Sequence, residues 1–217
     1  MNTFDYLLGN WRELLGLTLQ HLTLVGLAVG LASAAGVPLG IAISRFRWLA
    51  APVLGLATVL LTIPSIALFG LMIPLLSRIG HGLGAVPAVS AVFLYSLLPI
   101  VRNTCLALQQ VDAGIREAGI GLGMTFWQRL RLVDLPLAVP LIAGGVRAAL
   151  VLNIGVMTVA AAIGAGGLGV LILRAIGQSN TPKLLIGAVL VSLLAVAADA
   201  LLQRLQHLLT PKGLRKT

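Results

Sequence analysis

Long apolar runs separated by short polar connections make up most of the sequence. Residues 14–44, 48–77 and 148–173 contain no Asp, Glu, Lys or Arg. A helix needs only about 20 predominantly apolar residues to cross the hydrocarbon core of a bilayer. The pattern therefore predicts an integral membrane protein, and a helical one, because lipid offers backbone groups no hydrogen-bond partner and the alternating pattern of a closed barrel is missing.

Five transmembrane spans are predicted from these runs, and together they make residues 22–205 a single transmembrane domain. The spans cover Leu22–Ser44, Leu49–Leu71, Ala85–Val101, Leu137–Ile163 and Leu184–Leu205. The first run is too long for the apolar core of a signal peptide, so it is expected to stay in the protein as a span.

The two ends of the chain are predicted to lie outside the spans. Residues 1–21 form an N-terminal interfacial segment, because Phe4–Gln20 carries Trp11 and alternates leucine pairs with polar residues, as amphipathic helices at a membrane surface do. Residues 206–217 form a basic tail that is predicted to be cytoplasmic.

Composition and charge agree with this interpretation and add an orientation. Apolar residues make up 59% of the chain and charged residues 10%, whereas soluble domains carry about 25% charged residues. The net charge of +9 does not indicate nucleic-acid binding, because the basic residues lie in short loops between spans. With the N-terminus outside, ten Lys and Arg residues fall on the inner side and four on the outer side, so the positive-inside rule favours a cytoplasmic C-terminus.

Few residues offer other chemistry. Cys105 is the only cysteine, and the three histidines lie far apart, so neither a disulfide nor a metal site is predicted. Apart from Arg204 at the very end of the fifth span, Arg147 and Asp199 are the only charged residues inside predicted spans. The sequence has no phosphate-binding glycine loop that ends in Lys-Ser or Lys-Thr, and no catalytic residues are assigned, so the chain is not expected to be an enzyme.

The longest polar connection, residues 102–136, is predicted to be a structured cytoplasmic loop. Asp112 is placed to cap a short helix that runs through Glu117, and the glycines after it weaken and end that helix. Thr125 and Gln128 form a capping box that opens a second short helix, Phe126–Val133. The loop is therefore two short helices around a glycine elbow.

The run EAGIGLGMTFWQRLRLVDLP, Glu117–Pro136, resembles the cytoplasmic signature of bacterial ABC import permeases. That signature reads EAA, three residues, G, nine residues, I, one residue, LP. Gly119 stands where the third residue is usually Ala, and Val133 replaces Ile. The resemblance implies that the loop couples the spans to a separate ATPase. The residues that would do so are Glu117, Ala118, Gly119, Gly123, Met124, Thr125, Leu135 and Pro136.

Four further strings resemble permeases for osmoprotectants such as glycine betaine, carnitine and choline. They are IPSIALFG (Ile63–Gly70), LYSLLPIVRNT (Leu94–Thr104), LNIG (Leu152–Gly155) and IGAGGLG (Ile163–Gly169). The resemblance implies a type I ABC importer permease fold and the import of such a solute. Permeases of methionine and amino-acid importers share a GAGGLG-like string and are the nearest alternative.

The same resemblance implies the partners and the location of the chain. It predicts a second permease chain, identical or related, two ABC ATPase subunits that bind ATP and Mg²⁺, and an extracytoplasmic substrate-binding protein. The permease itself would bind no cofactor and no nucleic acid, and it would lie in the bacterial cytoplasmic (inner) membrane.

A candidate pathway or gate lies in and after the fourth span. Its residues are Asn153, Gly155, Gly164, Gly166, Gly167 and Gly169. Dense glycine breaks a helix, and irregular backbone in a membrane is tolerated where protein buries it or where it lines a water-filled cavity. A pathway wall and a plain outer turn both fit the glycines, and helix packing and solute contact both fit Asn153.

A secondary transporter driven by protons or sodium is an alternative of a different class. Such carriers usually bury ionisable relays and often show internal repeats. This sequence has no repeated half and, apart from Arg204 at the end of the fifth span, only two charged residues inside predicted spans. The dependence of transport on a separate ATPase distinguishes the two classes.

Overall fold

The structure is a computed structural model that describes residue 6 and residues 8–209. All the regular secondary structure assigned in that part of the chain is helical. The helices are α1 (Trp11–Arg45), α2 (Arg47–Thr62), α3 (Ser65–Ser77), α4 (Ala85–Gln109), α5 (Ala113–Gly121), α6 (Phe126–Arg129), α7 (Leu135–Val159), α8 (Gly169–Gly177) and α9 (Thr181–Leu209). A π-helical turn, Leu130–Asp134, joins α6 to α7, and a 3-10 turn, Ala160–Ile163, extends α7.

The all-helical membrane architecture is confirmed. The helices α1, α4 and α9 and the continuous segment Phe126–Ile163 are each long and apolar enough to cross a membrane. The pair α2 and α3 supplies a fifth candidate span, bent by 103°. These five elements lie where the sequence places its five spans.

The second span is not the single helix predicted over Leu49–Leu71. It breaks at Ile63, whose backbone is extended with φ −64° and ψ 129°. Pro64 causes the break, because it has no N–H and its ring disfavours a helical conformation in the residue before it. The hydroxyl of Tyr95 on α4 donates a hydrogen bond to the Ile63 carbonyl at 2.5 Å, so a backbone group at the break has a partner inside the protein.

The N-terminal segment is not a helix separate from the first span. Helix α1 runs for 35 residues without a break at Leu22, which corresponds to about 52 Å at about 1.5 Å per residue. That length exceeds the roughly 30 Å of a bilayer core, so part of α1 extends beyond the core. The interfacial position of the segment stays a prediction, and residues 1–5 and 7 lie outside the described part.

Two other helix boundaries also differ from the boundaries predicted from the sequence. Helix α4 continues past the predicted end of the third span at Val101 to Gln109, so the first two turns of the predicted loop 102–136 are helical and Cys105 is buried inside α4. Helix α9 reaches Leu209, so the predicted basic tail begins as helix, and residues 210–217 lie outside the described part.

Close approach of three helices forms the centre of the fold. Helix α4 packs between α1 and α7, and glycines permit both contacts. A Cβ at Gly40 of α1 would lie 2.5 Å from Cβ of Thr104, and one at Gly145 of α7 would lie 2.6 Å from Cβ of Asn103. Small residues at helix contacts are the usual way in which membrane helices approach closely.

The bond between Tyr95 and Ile63 is expected to stabilise the broken span. Tyr95→Phe keeps the ring but removes the donor, and it should lower the free energy of unfolding by about 0.6–2 kcal/mol. The measurement is the thermal unfolding midpoint of the purified protein in detergent. Ser90→Ala is the matched control, because the Ser90 hydroxyl bonds only to Val86, four residues back on the same helix. Equal midpoints for the two variants would contradict this account.

Candidate functional site

The first half of the loop between α4 and α7 forms as its capping residues predict. The Asp112 carboxylate accepts a hydrogen bond from the backbone N–H of Ile115 at 3.1 Å and caps α5. Past the end of α5, Gly123 turns the chain with φ +77°, a conformation that glycine adopts without steric cost. The Met124 N–H then donates to the Gly119 carbonyl at 3.1 Å, which closes the helix end.

The capping box at Thr125 is also confirmed, but the helix that it opens is not separate from the fourth span. Thr125 Oγ1 accepts from the N–H of Gln128, and Gln128 Oε1 accepts from the N–H of Thr125 at 2.8 Å. Instead of the predicted helix Phe126–Val133, the chain continues through α6 and the π-helical turn into α7. The backbone N–H of Leu135 donates to the Leu130 carbonyl, five residues back. The helix therefore stays continuous from α6 into α7, although Pro136 has no N–H to donate.

The predicted coupling residues divide between an exposed face and a packed base. Glu117, Ala118, Gly123 and Thr125 are exposed, whereas Gly119 is buried and Met124, Leu135 and Pro136 are half-buried. Large apolar side chains also face outward from the loop, with Leu122 78% and Trp127 67% exposed. Such apolar surface outside the spans is typical of a protein interface.

Gly119, where the sequence departs from the EAA pattern, lies against the returning chain. A Cβ added there would meet Met124 Sδ at 3.5 Å and Arg129 Cδ at 3.6 Å, and both distances are ordinary contacts. Alanine would therefore fit at this position. No close contact at this position of α5 therefore requires the glycine.

A buried carboxylate holds the base of the loop. Asp134 is 3% exposed, and its Oδ1 and Oδ2 accept from Nε of Arg116 at 3.3 Å and from Nε of Arg129 at 3.4 Å. The Arg116 guanidinium also donates to the Leu108 carbonyl near the end of α4. One carboxylate thus joins α5 and α6 to the start of α7, and Arg116 extends the connection to α4.

The end of α1 also reaches this base. The Arg45 guanidinium lies 5.1 Å from the centre of the Phe126 ring, and that of Arg129 lies 6.0 Å from the same ring. Cation–π contacts of this kind contribute about 0.5–2 kcal/mol. Helices α1, α4 and α7 therefore all meet the loop at one cluster, which consists of Arg45, Leu108, Arg116, Phe126, Arg129 and Asp134 and is called the loop anchor below.

Sequence reasoning missed the loop anchor, although a signal was present. Asp134 interrupts an apolar stretch that begins at Leu132 and continues after it with Leu135, and four arginines precede it within the predicted loop 102–136. A lone acidic residue in such a position usually needs a basic partner, because an unpaired charge is costly to bury.

Asn153 joins α7 to α4 inside the protein. Its side chain is fully buried and donates to Ser96 Oγ on α4 and to the Ala149 carbonyl, both at 2.9 Å. Gly155 has open space around the position of a Cβ, so no close contact requires a glycine there.

The glycine segment that follows α7 is held against α1. Gly164, Gly166 and Gly167 have φ values of +82°, +86° and +71°. The Gln20 side chain accepts from the Gly167 N–H at 3.0 Å and donates to the Ala165 carbonyl at 3.4 Å. A Cβ at Gly169 would lie 2.0 Å from the Thr158 carbonyl oxygen. The segment is a tightly packed turn at the other end of α7 from the loop anchor, so the structure does not bring the two groups of candidate residues together.

Comparison with known proteins identifies the family. Residues 32–211 match the family described as the binding-protein-dependent transport system inner membrane component. The chain belongs to this family. It is 64% identical to the osmoprotectant import permease protein OsmW of Salmonella typhimurium, over 99% of this chain and 100% of that protein. It is 40% identical to the glycine betaine/carnitine/choline transport system permease protein OpuCB of Bacillus subtilis, over 97% and 94% of the two chains.

Solved structures of ABC transporters share the fold of this family member. A chain of the MetNI methionine ABC transporter in an inward-facing conformation aligns with a TM-score of 0.82 at 24% identity, covering 91% of this chain and 96% of that one. At that identity the likeness shows the fold alone. The fold is that of a type I ABC importer permease, as the resemblance of the sequence implied, and the chain is a membrane-spanning transport component.

Breaking the loop anchor is expected to loosen the loop. Asp134→Asn removes the negative charge between two arginines, and it should cost about 1–3 kcal/mol of stability, because the arginines are only partly exposed. The measurement is the rate of tryptic cleavage after Arg116 and Arg129 in the purified protein, which should rise severalfold.

Asp112→Asn is the matched control, because it makes the same chemical change at a helix cap where Asn serves as well as Asp. Its cleavage rate should stay near that of the unaltered protein. If both variants were cleaved at the same rate, the anchoring role of Asp134 would be refuted.

Proposed function

We propose that this chain is the permease subunit of an ATP-driven importer for small osmoprotectants of the glycine betaine, choline or carnitine type. The observation that carries the proposal is the 64% identity to an osmoprotectant import permease over nearly the whole of both chains. The alternative, a methionine or amino-acid importer permease, is supported by structural likeness at 24% identity or below.

The loop between α4 and α7 is proposed to dock on a separate ATPase. The exposed Glu117 and Ala118, together with the apolar Leu122 and Trp127, offer a surface that a groove of a soluble subunit can bind. The carboxylate of Glu117 suits a basic partner. Because the loop anchor ties this surface to α1, α4 and α7, movement of the ATPase would move all three helices, as rigid elements in packed proteins do.

The proposal assigns the remaining steps of transport to other subunits. ATP and Mg²⁺ would bind to the partner ATPases, and this chain would bind no cofactor and hold no catalytic residue. A second permease chain, identical or related, would complete the pathway. An extracytoplasmic binding protein would deliver the solute, and the N-terminus would lie outside and the C-terminus in the cytoplasm of a bacterial inner-membrane protein.

Selection of a quaternary ammonium is assigned to the binding protein. Such a group is best held by several aromatic faces through cation–π attraction. Trp11, Trp48 and Trp127 are exposed and lie far apart in the sequence, and Tyr95 is 3% exposed and bonded to Ile63. Among the described residues the one pair of aromatic rings in contact is Phe126 and Trp127, which meet edge to face in the loop.

ATP hydrolysis by the reconstituted complex tests the proposed function. A binding protein loaded with glycine betaine or choline should stimulate hydrolysis severalfold over the same binding protein without solute, because the loaded form signals across the permease. Stimulation by a methionine-loaded binding protein alone would move the chain to the alternative family branch. Uptake that persists without any ATPase subunit would favour a secondary transporter.

The docking surface is tested by reversing one charge. Glu117→Lys should leave expression and membrane insertion unchanged but should reduce solute uptake at least about tenfold and weaken co-purification of the ATPase, if Glu117 meets a basic partner. Glu13→Lys is the control, because Glu13 is also an exposed glutamate but pairs with Arg174 at the other end of the molecule. Unchanged uptake in Glu117→Lys would overturn the docking assignment.

The orientation is tested with single cysteines in a Cys105→Ala background, because the native thiol is buried. A membrane-impermeant maleimide should label Gly177→Cys in cells with an opened outer membrane. It should label Leu122→Cys only after the inner membrane is permeabilised. The opposite pattern would reverse the topology.

A further inference from the structure

Two charged residues inside the membrane helices face each other across a helix contact. Arg147 lies twelve residues into α7 and Asp199 lies ten residues before the end of α9, so they are roughly 18 Å and 15 Å from those helix ends. The distance from Arg147 Nε to Asp199 Oδ1 is 2.6 Å. Charged groups at such depth must face protein or a water-filled space rather than lipid.

The pair is not enclosed by the helices that carry it. The Arg147 side chain is 32% exposed and that of Asp199 is 35% exposed. A cavity of about 510 Å³, open to the surface of the chain, lies beside the two side chains and is also lined by Gly144, Ala148, Val151, Leu152 and Gln206. Both charged groups therefore border a space large enough for a small solute.

A second cavity continues along the same face. It measures about 470 Å³, shares Ala148 and Leu152 with the first, and is also lined by Arg102 and Asn103 of α4. The polar groups Asp199, Arg147, Asn103 and Arg102 thus follow one another along two adjoining cavities. The remainder of the lining is mostly apolar, as in small-molecule sites that use a few polar groups to orient a ligand.

A purely structural role explains the pair less well. An ion pair in a low-dielectric interior often stabilises a protein no more than well-packed apolar residues would, because both charges lose hydration. A contact that served only to join α7 to α9 could be made by apolar residues, which lose no favourable hydration when they are buried. Instead, a third of each side chain is turned to the cavity.

We propose that Arg147 and Asp199 form a low-affinity transit site for a zwitterionic solute, whose carboxylate binds Arg147 while its quaternary ammonium approaches Asp199. This inference rests on the proposed function. The planar guanidinium suits a carboxylate, which it can bind with two hydrogen bonds. The carboxylate of the solute takes the place of Asp199 beside Arg147, and its ammonium takes the place of Arg147 beside Asp199. The ion pair therefore opens without leaving either charge unpaired.

The charge of the lining gives the site a preference. Arg102 and Arg147 outnumber Asp199 along the two cavities, so the wall carries a net positive charge. A solute with a carboxylate, such as glycine betaine, is favoured there over the cation choline, which has none. The site therefore adds discrimination between zwitterion and cation, which is separate from recognition of the ammonium by aromatic rings.

The test compares uptake of glycine betaine and choline by vesicles that contain the complete reconstituted transporter. Arg147→Gln should lower the ratio of betaine to choline uptake by about tenfold, the factor that corresponds to one charge-assisted hydrogen bond. Arg174→Gln, which removes an exposed arginine that is also paired to an acid, should leave the ratio unchanged. An equal loss of both solutes in Arg147→Gln would overturn the proposal and leave the pair a structural contact.

Two double variants keep the test decisive if the single variant folds poorly. Arg147→Gln with Asp199→Asn leaves neither member of the pair charged and does not change the net charge of the lining. The ratio should fall again, because the carboxylate of betaine loses its guanidinium partner. Arg147→Met with Asp199→Leu replaces the pair with an apolar contact between the helices. A structural role predicts recovery of both solutes at the original ratio, which would contradict the proposal, because the proposal predicts a lower ratio wherever the Arg147 guanidinium is lost. Unaltered vesicles that import neither solute would overturn the proposed function itself, whereas betaine import with a constant ratio in all variants would overturn only the transit site.

Discussion

The buried carboxylate of Asp134 is the interaction on which the arrangement of the cytoplasmic loop depends. It lies between Arg116 and Arg129, and its loss would leave two arginines without a counter-charge in a partly buried place. Arg116 also binds the end of α4, and Arg45 packs on the neighbouring Phe126 ring. The loop is thereby fixed to three helices rather than only to the two helix ends that it connects. The ATPase subunit proposed above would therefore move these helices together with the loop.

Lipid imposes a second constraint, which the structure meets by supplying backbone groups with partners inside the protein. At the break, the Ile63 carbonyl accepts a hydrogen bond from the Tyr95 hydroxyl. In the glycine segment at the far end of α7, the Gly167 N–H donates to the side-chain amide oxygen of Gln20. In each case the irregular backbone is bonded to a neighbouring helix, as expected where water does not reach. The irregular segments are therefore parts of the packed structure, and Gln20 links the far end of α7 to α1 just as the loop anchor links the near end.

The sequence predicted the features that depend on local composition and spacing. Charge-free runs located the spans, and Asp112 and Thr125 marked the helix starts in the loop, because capping involves residues two or three positions apart. The break at Pro64 was not predicted, since proline alone does not decide between a kink and a break. Five other prolines lie beyond the first turn of a helix without breaking it, namely Pro38, Pro52, Pro74, Pro99 and Pro140.

Contacts between distant residues account for the rest of what the sequence did not reveal. Asp134 and Arg116 are 18 residues apart, and the residues of the pair Arg147 and Asp199 are 52 apart. Only the tertiary packing brings them together. The pattern of one sequence shows that a charge in an apolar stretch needs a partner, but the choice among the available arginines is made by the fold.

The most direct test of the central claim measures whether the loop moves with the helices as one body. Spin labels at Leu122→Cys in the loop and at Leu106→Cys on α4, in a Cys105→Ala background, report the distance between them by double electron–electron resonance. In the complete transporter the account predicts one narrow distance that is the same with and without bound ATP, and a broadened distribution when Asp134→Asn is added. A distance that shifts or broadens on ATP binding while Asp134 is intact would contradict the account.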